Sequence, residues 1–244
     1  MSSEICPNVP PAGVLNIPPC GILLVDKPSG FSSHDIVAIA RGIFGIKKIR
    51  HSGTLDPMAT GLLILLIGKN ATCQQPRFLR LGKVYSGTLQ LGQETDSWDA
   101  EGEIIAEKEV PALTQEALVQ AAHELTGDIE QPIPFYSAKK INGQKMYSLA
   151  RAGEPMERQF STVNVVWPQV RLVSPRTIEF VVCCSSGTYV RALGYLLAHK
   201  LGTVGHLTQL RRLEIGPYNV ADAFDGAKLK ETPAELLCKR IIRI

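Results

Sequence analysis

One short loop in the first quarter of the chain collects residues that can do chemistry. His51, Asp56 and Pro57 lie in the sequence HSGTLDPMATG at 51–61, which lacks a helical or strand period and is rich in turn formers. A carboxylate in such a loop can act as a nucleophile or stabilise a developing positive charge. An isolated Asp-Pro pair is more often a turn initiator, so the loop by itself leaves both interpretations open.

The segments on either side of this loop predict the elements that must hold it. The apolar run 21–25 ends in a turn rich in Pro and Gly and predicts a buried strand, and the run 62–67 predicts a second one. Between them, Ser32 and Asp35 have the spacing of a helix-capping box, and the apolar stripe that follows stops near Gly45. A helix and two buried strands are therefore expected around the loop.

The rest of the chain mixes strand and helix patterns. Apolar and alternating runs predict strands over 84–91, 163–173, 177–184 and 207–215, and a hairpin over 137–146 around Asn142 and Gly143. Helical spacing predicts helices over 114–125, 189–201 and 70–81, the last of them kinked or ended by Pro76. Because the order is not a regular βαβ array, the predicted fold class is α+β with a mixed, largely antiparallel sheet flanked by helices.

Composition excludes several classes of protein. The chain has 244 residues, of which 45% are hydrophobic and 20% charged, so it can bury a large core. Its longest apolar run, 62–67, is far shorter than the roughly 20 residues of a membrane-spanning helix. The first 20 residues lack the basic start of a secretory signal. A cytoplasmic protein with no membrane partner is therefore expected.

Cysteine usage argues against a metal or redox centre. The cysteines form no C-x-x-C pair, and they stand at Cys6, Cys20, Cys73, Cys183, Cys184 and Cys238. So few cysteines in a chain of this length do not make a disulfide scaffold. Buried, reduced thiols that behave as small hydrophobic groups are the expectation, and no metal ligand is assigned.

The net charge of +3 hides an uneven distribution of charged residues. Residues 1–93 carry a net +5, residues 94–130 a net −10 and residues 131–244 a net +8. Two basic regions around one acidic block could form a positive face for nucleic acid. The acidic block taken alone is more simply a solvated edge of the protein.

The loop and several other segments resemble the TruB family of tRNA pseudouridine synthases. The family signature is close to G-H-x-G-T-L-D-P-x-A-x-G-x-L, and residues 50–63 read RHSGTLDPMATGLL, departing visibly only at Arg50. Further blocks match in order at 21–37 (GILLVDKPSGFSSHDIV), 83–102 (beginning KVY), 127–153 (beginning GDIEQ) and 186–213 (beginning SGTYVRAL). Two departures are Trp98, where the family usually has a small hydroxyl residue, and Pro76, in a segment that the family keeps helical.

This resemblance implies an enzyme with the pseudouridine synthase fold that isomerises uridine 55 in the T arm of tRNA. The reaction breaks the bond from N1 to C1′, turns the base and rejoins it through C5, and it requires no cofactor. The residues leave open whether the carboxylate attacks C1′, attacks the base or promotes elimination through a glycal. Because the uridine must leave its stack to reach a pocket, base flipping is implied.

The resemblance also implies roles for particular residues. Asp56 is the catalytic carboxylate, Arg191 is its opposing cation, and Tyr85 stacks on the target base and takes up a proton. His51 carries nucleotide flipping, and the other substrate-binding residues are the pocket walls Tyr189 and Leu210, and Lys27, which supports the site or touches phosphate. Individually weak candidates for contacts with the RNA backbone are Lys47, Lys48, Arg50, Lys139, Lys140, Arg211 and Arg212.

Domain organisation and two other functions complete the expectations. Residues 1–20 are taken as an extension, 21–216 as the catalytic domain and 217–244 as a short segment with a helix around 233–242. The PUA-like domain of bacterial relatives is expected to be absent or vestigial, and the protein to act as a monomer with no obligate protein partner. A tRNA-folding chaperone and the catalytic subunit of a guide-RNA ribonucleoprotein are the alternatives. A hydrolase is disfavoured because no phosphate-binding glycine motif is present.

Overall fold

The structure is a computed structural model that describes residues 19–137, 139–141, 143–152, 154 and 157–244. Most of the predicted extension at 1–20, and Asn142 of the predicted hairpin, lie outside the described residues. The strands are β1 (Gly21–Lys27), β2 (Ile49–His51), β3 (Thr60–Ile67), β4 (Lys83–Leu91), β5 (Gln93–Thr95), β6 (Ile104–Glu107), β7 (Gly127–Pro132), β8 (Lys140–Ile141), β9 (Gln144–Lys145), β10 (Phe160–Ser174), β11 (Thr177–Cys184), β12 (Gly205–Ile215), β13 (Tyr218–Asn219) and β14 (Phe224–Asp225). The helices are α1 (Ser33–Phe44), α2 (Gly68–Cys73), α3 (Gln75–Arg80), α4 (Gln115–Glu124), α5 (Met146–Arg151), α6 (Val190–Lys200) and α7 (Ala234–Cys238).

One large sheet organises the molecule. Its strand order is β14-β1-β3-β12-β4-β11-β10-β7, with β2 beside β3 and β13 beside β12. The pairs β1–β14 and β3–β12 are parallel, and the others are antiparallel. This arrangement confirms the predicted α+β class with a mixed, largely antiparallel sheet.

Helices bury the sheet on both faces. Helix α1 covers one face of β1 and β3, and Phe78 of α3 packs with the side chains of the opposite face. Helices α4 and α6 cover β4, β11 and β12, where Leu89, Leu193 and Leu207 are fully buried. Strand β4 alternates buried and half-buried residues along its whole length, as expected for a strand with one face in the core.

Helix α1 has both of the ends that the sequence predicts. The Ser32 hydroxyl accepts the Asp35 amide, and the Asp35 carboxylate accepts the Ser32 amide, so the predicted capping box is present. Gly45 ends α1 in a left-handed conformation with φ 65°, which glycine adopts without strain. These two ends define which residues belong to α1.

Three predicted elements differ from the observed ones. Residues 70–81 form two helices, α2 and α3, that meet at Gln74, because Pro76 fits only the first turn of a helix. His51 ends strand β2 rather than standing in the loop. The helix expected over 233–242 is only α7, and the chain beyond it pairs Ile242 with Ile22 of β1.

Residues 217–244 pack onto strand β1 and helix α1. Strand β14 runs parallel to β1, and Leu229 and Leu237 are fully buried with α1. Residues 217–244 therefore complete one edge of the sheet. In the part of the chain that the structure describes, no helix has both the length and the apolarity needed to cross a membrane.

Candidate active site

Buried cations hold the loop that carries Asp56, between β2 and β3. The Lys27 ammonium is fully buried and donates to the carbonyls of Phe31 (2.6 Å), Pro28 (2.9 Å) and Pro57 (3.3 Å). Burial lowers the pKa of Lys27 to about 8, against the opposing attraction of Asp56. The resemblance left two roles open for Lys27, and its burial against three backbone carbonyls fits support of the loop.

Arg212 holds the same loop from strand β12. Its Nε donates to the Leu62 carbonyl (2.6 Å), and its terminal nitrogens reach the carbonyls of Gly53 (3.2 Å) and Thr54 (3.4 Å). Only 1% of the Arg212 surface is exposed, so the surface contact with RNA backbone expected from sequence does not fit this residue. The parallel pairing of β12 with β3 carries the guanidinium beneath the loop. No local sequence pattern predicts this burial.

A hydroxyl at the start of α1 completes the support of the loop. Ser33 accepts the Leu55 amide (2.8 Å) and donates to the Leu55 carbonyl (3.1 Å), with its side chain buried. The residue before Asp56 is thereby fixed on both of its backbone groups. Side chains from β1, α1 and β12 thus hold the loop, although it belongs to no regular element.

Arg191 meets Asp56 from the first turn of α6. Its Nε lies 3.0 Å from Asp56 Oδ2, and the Arg191 side chain is 5% exposed whereas that of Asp56 is 36% exposed. Its two terminal nitrogens donate to the carbonyls of Ser97 (2.7 Å) and Tyr136 (2.9 Å). The pairing of Asp56 with Arg191 that the resemblance implied is therefore present in the structure.

A second carboxylate, Asp99, shares this arginine and was not singled out from the sequence. Its Oδ2 lies 3.5 Å from Arg191 Nε, and its Oδ1 accepts the Ser97 hydroxyl (2.6 Å) and the Glu101 amide (3.1 Å). Only 3% of the Asp99 surface is exposed. The sequence predicts a solvated edge for the acidic block, and at Asp99 this prediction is wrong because the carboxylate is buried against Arg191.

Tyr85, Tyr189 and Leu210 line the same cleft, as expected for a stacking residue and two walls. Tyr85 lies on the buried face of β4, and this burial raises the pKa of its phenol. A phenol held neutral is a poor base, so stacking fits this position better than proton uptake. Tyr189 precedes α6, and its amide donates to the fully buried Gln131 (3.0 Å), a positioning contact that the sequence did not reveal.

His51 lies behind a second histidine, His34. The two rings pack edge to face with their centroids 5.2 Å apart, and it is His34 that lines the cleft. Burial and the neighbouring His34 and Arg212 charges lower the pKa of His51 to about 4, so its ring is neutral at physiological pH. His34 stands at the start of a helix, where a polar residue is ordinary, and no sequence signal marked it.

The remaining basic residues expected to contact the RNA backbone differ in their exposure and in the partners that their side chains already have. Lys47, Lys48 and Arg50 are exposed, and Arg50 donates to the side chain of Gln75. Arg211 forms a two-pronged ion pair with Asp26 at 2.7 and 3.0 Å, so it is already engaged. Lys139 is half-buried, and the structure does not describe the side chain of Lys140.

Asp56, Tyr85 and Arg191 are among the residues that line a cleft of about 890 Å³. That volume accommodates a small-molecule-sized group such as an extruded nucleotide. The described cysteines are free thiols, and burial raises the pKa of Cys184 to about 11, which keeps it protonated. Among the described residues, His, Cys, Asp and Glu side chains form no group of three that could hold a metal ion.

The fold is that of pseudouridine synthase catalytic domains. A crystal structure of a Cbf5-Nop10-Gar1 complex matches 91% of this chain and 60% of that chain, with TM-score 0.67 and 25% identity. A structure of an H/ACA RNP bound to a substrate RNA containing 2′-deoxyuridine matches 86% of this chain and 52% of that chain, with TM-score 0.63 and 24% identity. This chain thus spans somewhat more than half the length of those chains.

Sequence comparison assigns the family. A profile of the TruB family pseudouridylate synthase (N terminal domain) matches residues 41–190. The tRNA pseudouridine synthase B of Chlamydia muridarum is 41% identical over 86% of this chain and 87% of its own, and that of Opitutus terrae is 40% identical over 92% of each. That of Aromatoleum aromaticum is 45% identical over 88% of this chain and 69% of its own. This chain belongs to the TruB family of pseudouridine synthases, which are isomerases.

Proposed function

We propose that this protein converts uridine 55 in the T arm of tRNA to pseudouridine, with Asp56 as the reacting carboxylate. The observation that carries this proposal is the contact of 3.0 Å between Asp56 and the buried Arg191 inside the cleft. Relatives about 40% identical over most of their length are named tRNA pseudouridine synthase B, which supports tRNA as the substrate. Uridine 55 itself follows from the family resemblance.

Arg191 prepares the carboxylate for reaction. A guanidinium with its other donors fixed by Ser97 and Tyr136 holds Asp56 in one orientation and stabilises its negative charge. The exposed part of Asp56 faces the cleft, where sugar and base would lie. Such preorganisation stabilises charge that develops when the bond from N1 to C1′ breaks.

The reaction requires extrusion of the uridine, and the described side chains supply the parts for it. Tyr85 offers a neutral ring for stacking on the base, and Tyr189 and Leu210 bound the cleft. In this proposal His34, with His51 packed behind it, fills the space that the uridine leaves, because His34 lines the cleft beside the loop that carries Asp56. Unstacking costs a few kcal/mol, which these contacts offset.

The rearrangement itself conserves atoms apart from a proton exchange. The bond from N1 to C1′ breaks, the bond from C5 to C1′ forms, the C5 proton leaves to solvent and N1 gains a proton. No oxidant, reductant or water is consumed, so the proposed reaction requires no cofactor. Exposed Lys47, Lys48 and Arg50 beside the loop supply the positive charge for RNA backbone contacts.

The guide-RNA alternative is less well supported than an enzyme that acts on tRNA alone. Identity to the ribonucleoprotein structures is 24–25%, against about 40% for the tRNA enzymes. A chaperone without catalysis would have no use for a buried arginine that orients an exposed carboxylate. Both observations favour catalysis on tRNA as the primary activity.

Tritium release tests the reaction and its position together. Transcripts of tRNA labelled at C5 of uridine lose tritium to water when pseudouridine forms. We expect about one equivalent of tritium per tRNA from a transcript that contains uridine 55, and none from a transcript with cytidine at that position. Equal release from both transcripts would contradict the assigned target, and no release from either would contradict the reaction.

A further inference from the structure

Three acceptors fix Arg191, and they come from two segments that are distant in sequence. Ser97 and Asp99 belong to one tight turn, and Tyr136 belongs to the segment after β7. A guanidinium contacts all three only if both segments keep their positions relative to each other. A displacement of about 1 Å at such a site costs up to a hundredfold in rate.

Trp98 occupies the centre of the turn between Ser97 and Asp99. Its φ of 62° lies in the left-handed region, and it is the one non-glycine residue with positive φ in the described part of the chain. That conformation costs roughly 1–2 kcal/mol for a residue with a side chain. It turns the Ser97 carbonyl and the Asp99 carboxylate toward Arg191 on one side of the turn.

The ring of Trp98 is anchored on the other side. It is 2% exposed and stacks on Tyr195, one helical turn after Arg191 on α6, with the centroids 4.3 Å apart. Its indole N–H donates to Glu94 (3.1 Å), and its carbonyl accepts the Leu207 amide (3.0 Å). These contacts offset the backbone strain, so the strained turn persists.

Arg158 joins this turn to the second segment. Its guanidinium carbon lies 4.7 Å from the centroid of the Trp98 ring and 4.4 Å from that of the Phe135 ring. Phe135 immediately precedes Tyr136, whose carbonyl accepts from Arg191. One cation between two rings therefore ties together the two segments that supply the acceptors.

We propose that Trp98 and Arg158 act as one unit that positions Arg191 for catalysis. Arg158, between Trp98 and Phe135, holds the segment of Tyr136 against the Ser97–Asp99 turn, and Arg191 then keeps its three acceptors and its contact with Asp56. We call Trp98 and Arg158 together the clamp. The family resemblance gives the position of Trp98 a small hydroxyl residue, which could not supply this ring. The inference rests on the proposed function, because its readout is turnover.

Two variants remove the side chains of the clamp and leave the backbone conformation of the turn as it is. Trp98→Gly removes the ring and suits a positive φ, so the turn itself is not strained further. Arg158→Gln removes the cation at an exposed position and leaves the core intact. The matched control is Arg171→Gln, which removes an exposed arginine on β10 that pairs only with Glu179 in the described structure.

The measurement is kcat and KM from tritium release under multiple turnover, with the wild type first shown to be active. We expect each clamp variant to lower kcat about tenfold and to change KM by less than twofold, and the control to match the wild type. Arg158→Lys retains partial activity, about threefold below wild type, because an ammonium cannot stack between two rings. Combining Trp98→Gly with Arg158→Gln lowers kcat less than twofold beyond either single change, since both remove one unit.

Several outcomes would overturn the inference. A raised KM with unchanged kcat in Arg158→Gln, and no effect of Trp98→Gly, makes Arg158 an RNA phosphate contact instead. Multiplied effects in the double variant mean that the two residues act independently. An inactive wild type overturns the proposed function and this inference with it, whereas an active wild type with unaffected clamp variants overturns the inference alone.

Discussion

The two halves of the candidate site are held in opposite ways. Asp56 sits on a loop whose carbonyls accept from buried cations, Lys27 on β1 and Arg212 on β12. Arg191 is itself the buried cation, and its acceptors come from the irregular segments around Ser97 and Tyr136. Regular strands therefore position the carboxylate, and turns position the arginine.

We expect this difference to separate effects on the free energy of unfolding from effects on catalysis. Lys27 and Arg212 are themselves buried, so removing one takes a hydrogen-bond donor from several backbone carbonyls and lowers the free energy of unfolding. The supports of Arg191 belong to irregular segments that line the cleft outside the strands of the large sheet, so a small shift there leaves the strand pairing intact. Changes around Asp56 should thus impair folding and catalysis together, and changes around Arg191 should impair catalysis with less effect on folding.

The largest expected effect is that of the reacting group itself. Asp56→Asn preserves the size of the side chain and removes its charge, so turnover should fall more than a hundredfold while the Kd for a T-arm stem-loop changes less than threefold. Tritium release and filter binding on the same preparation measure the two quantities. Residual turnover above about one hundredth of wild type would contradict the role of Asp56.

The next effect concerns the arginine side of the comparison. Arg191→Lys keeps the charge but cannot contact Asp56, Ser97 and Tyr136 at once, so kcat should fall about a hundredfold. Asp99→Asn keeps a polar partner for Arg191 and should lower kcat about tenfold. Circular dichroism melts check that both variants remain folded, and a melting temperature far below wild type in either would refute the separation of activity from stability here.

The loop side predicts a combined effect at Lys27. Lys27→Met leaves the carbonyls of Phe31, Pro28 and Pro57 without their shared donor, which should cost roughly 1–3 kcal/mol in the free energy of unfolding and about tenfold in kcat. Urea unfolding and tritium release measure the two losses. A variant as stable as wild type with reduced kcat would show that the two sides do not differ as proposed.

The ionisation of Lys27 adds a pH dependence to this test. Burial lowers its pKa from 10.5 to about 8, so the folded protein gives up this proton at a lower pH than the unfolded chain. Between about pH 8 and pH 10 the unfolded chain binds more protons, and the stability of wild type relative to Lys27→Met should rise with pH. A relative stability that falls over this range would contradict burial as the cause of the low pKa.

The smallest effect concerns His51, beside the loop. Its pKa of about 4 means that the ring is neutral from pH 5.5 to pH 7.5, so in the proposed role His51 acts on RNA binding by packing rather than by charge. The ratio of T-arm Kd between His51→Asn and wild type should therefore stay constant over this range, at a few-fold weaker binding. A ratio that grows as the pH falls would show a protonated His51 that contacts phosphate.

Sequence patterns predicted the regular elements well because those elements depend on neighbours in the chain. Alternation along β4 and the capping box at Ser32 and Asp35 are local signals, and both elements formed where expected. Motif resemblance likewise identified Asp56 and Arg191, whose contact the structure contains. The end of the first helix at Gly45 required nothing beyond the glycine itself.

Residues whose environment is made by distant segments were misplaced or missed. Asp99 stands in a strongly acidic stretch that looks solvated, and only the approach of α6 buries it against Arg191. Arg212 looks like any surface arginine until β12 pairs beside β3 and carries it under the loop. His34 gains its place on the cleft because His51 packs behind it.

The sequence by itself determined the class of the fold, the family and the pair of Asp56 and Arg191 that the structure brings into contact, since each depends on local periodicity or on a motif written in consecutive residues. The tertiary structure alone decided which charges are buried, what positions Arg191 and how Trp98, Arg158 and Phe135 meet. The physical reason is that burial and ion pairing depend on distances in space. Those distances are set by strands that pair across more than a hundred residues, as β3 and β12 do.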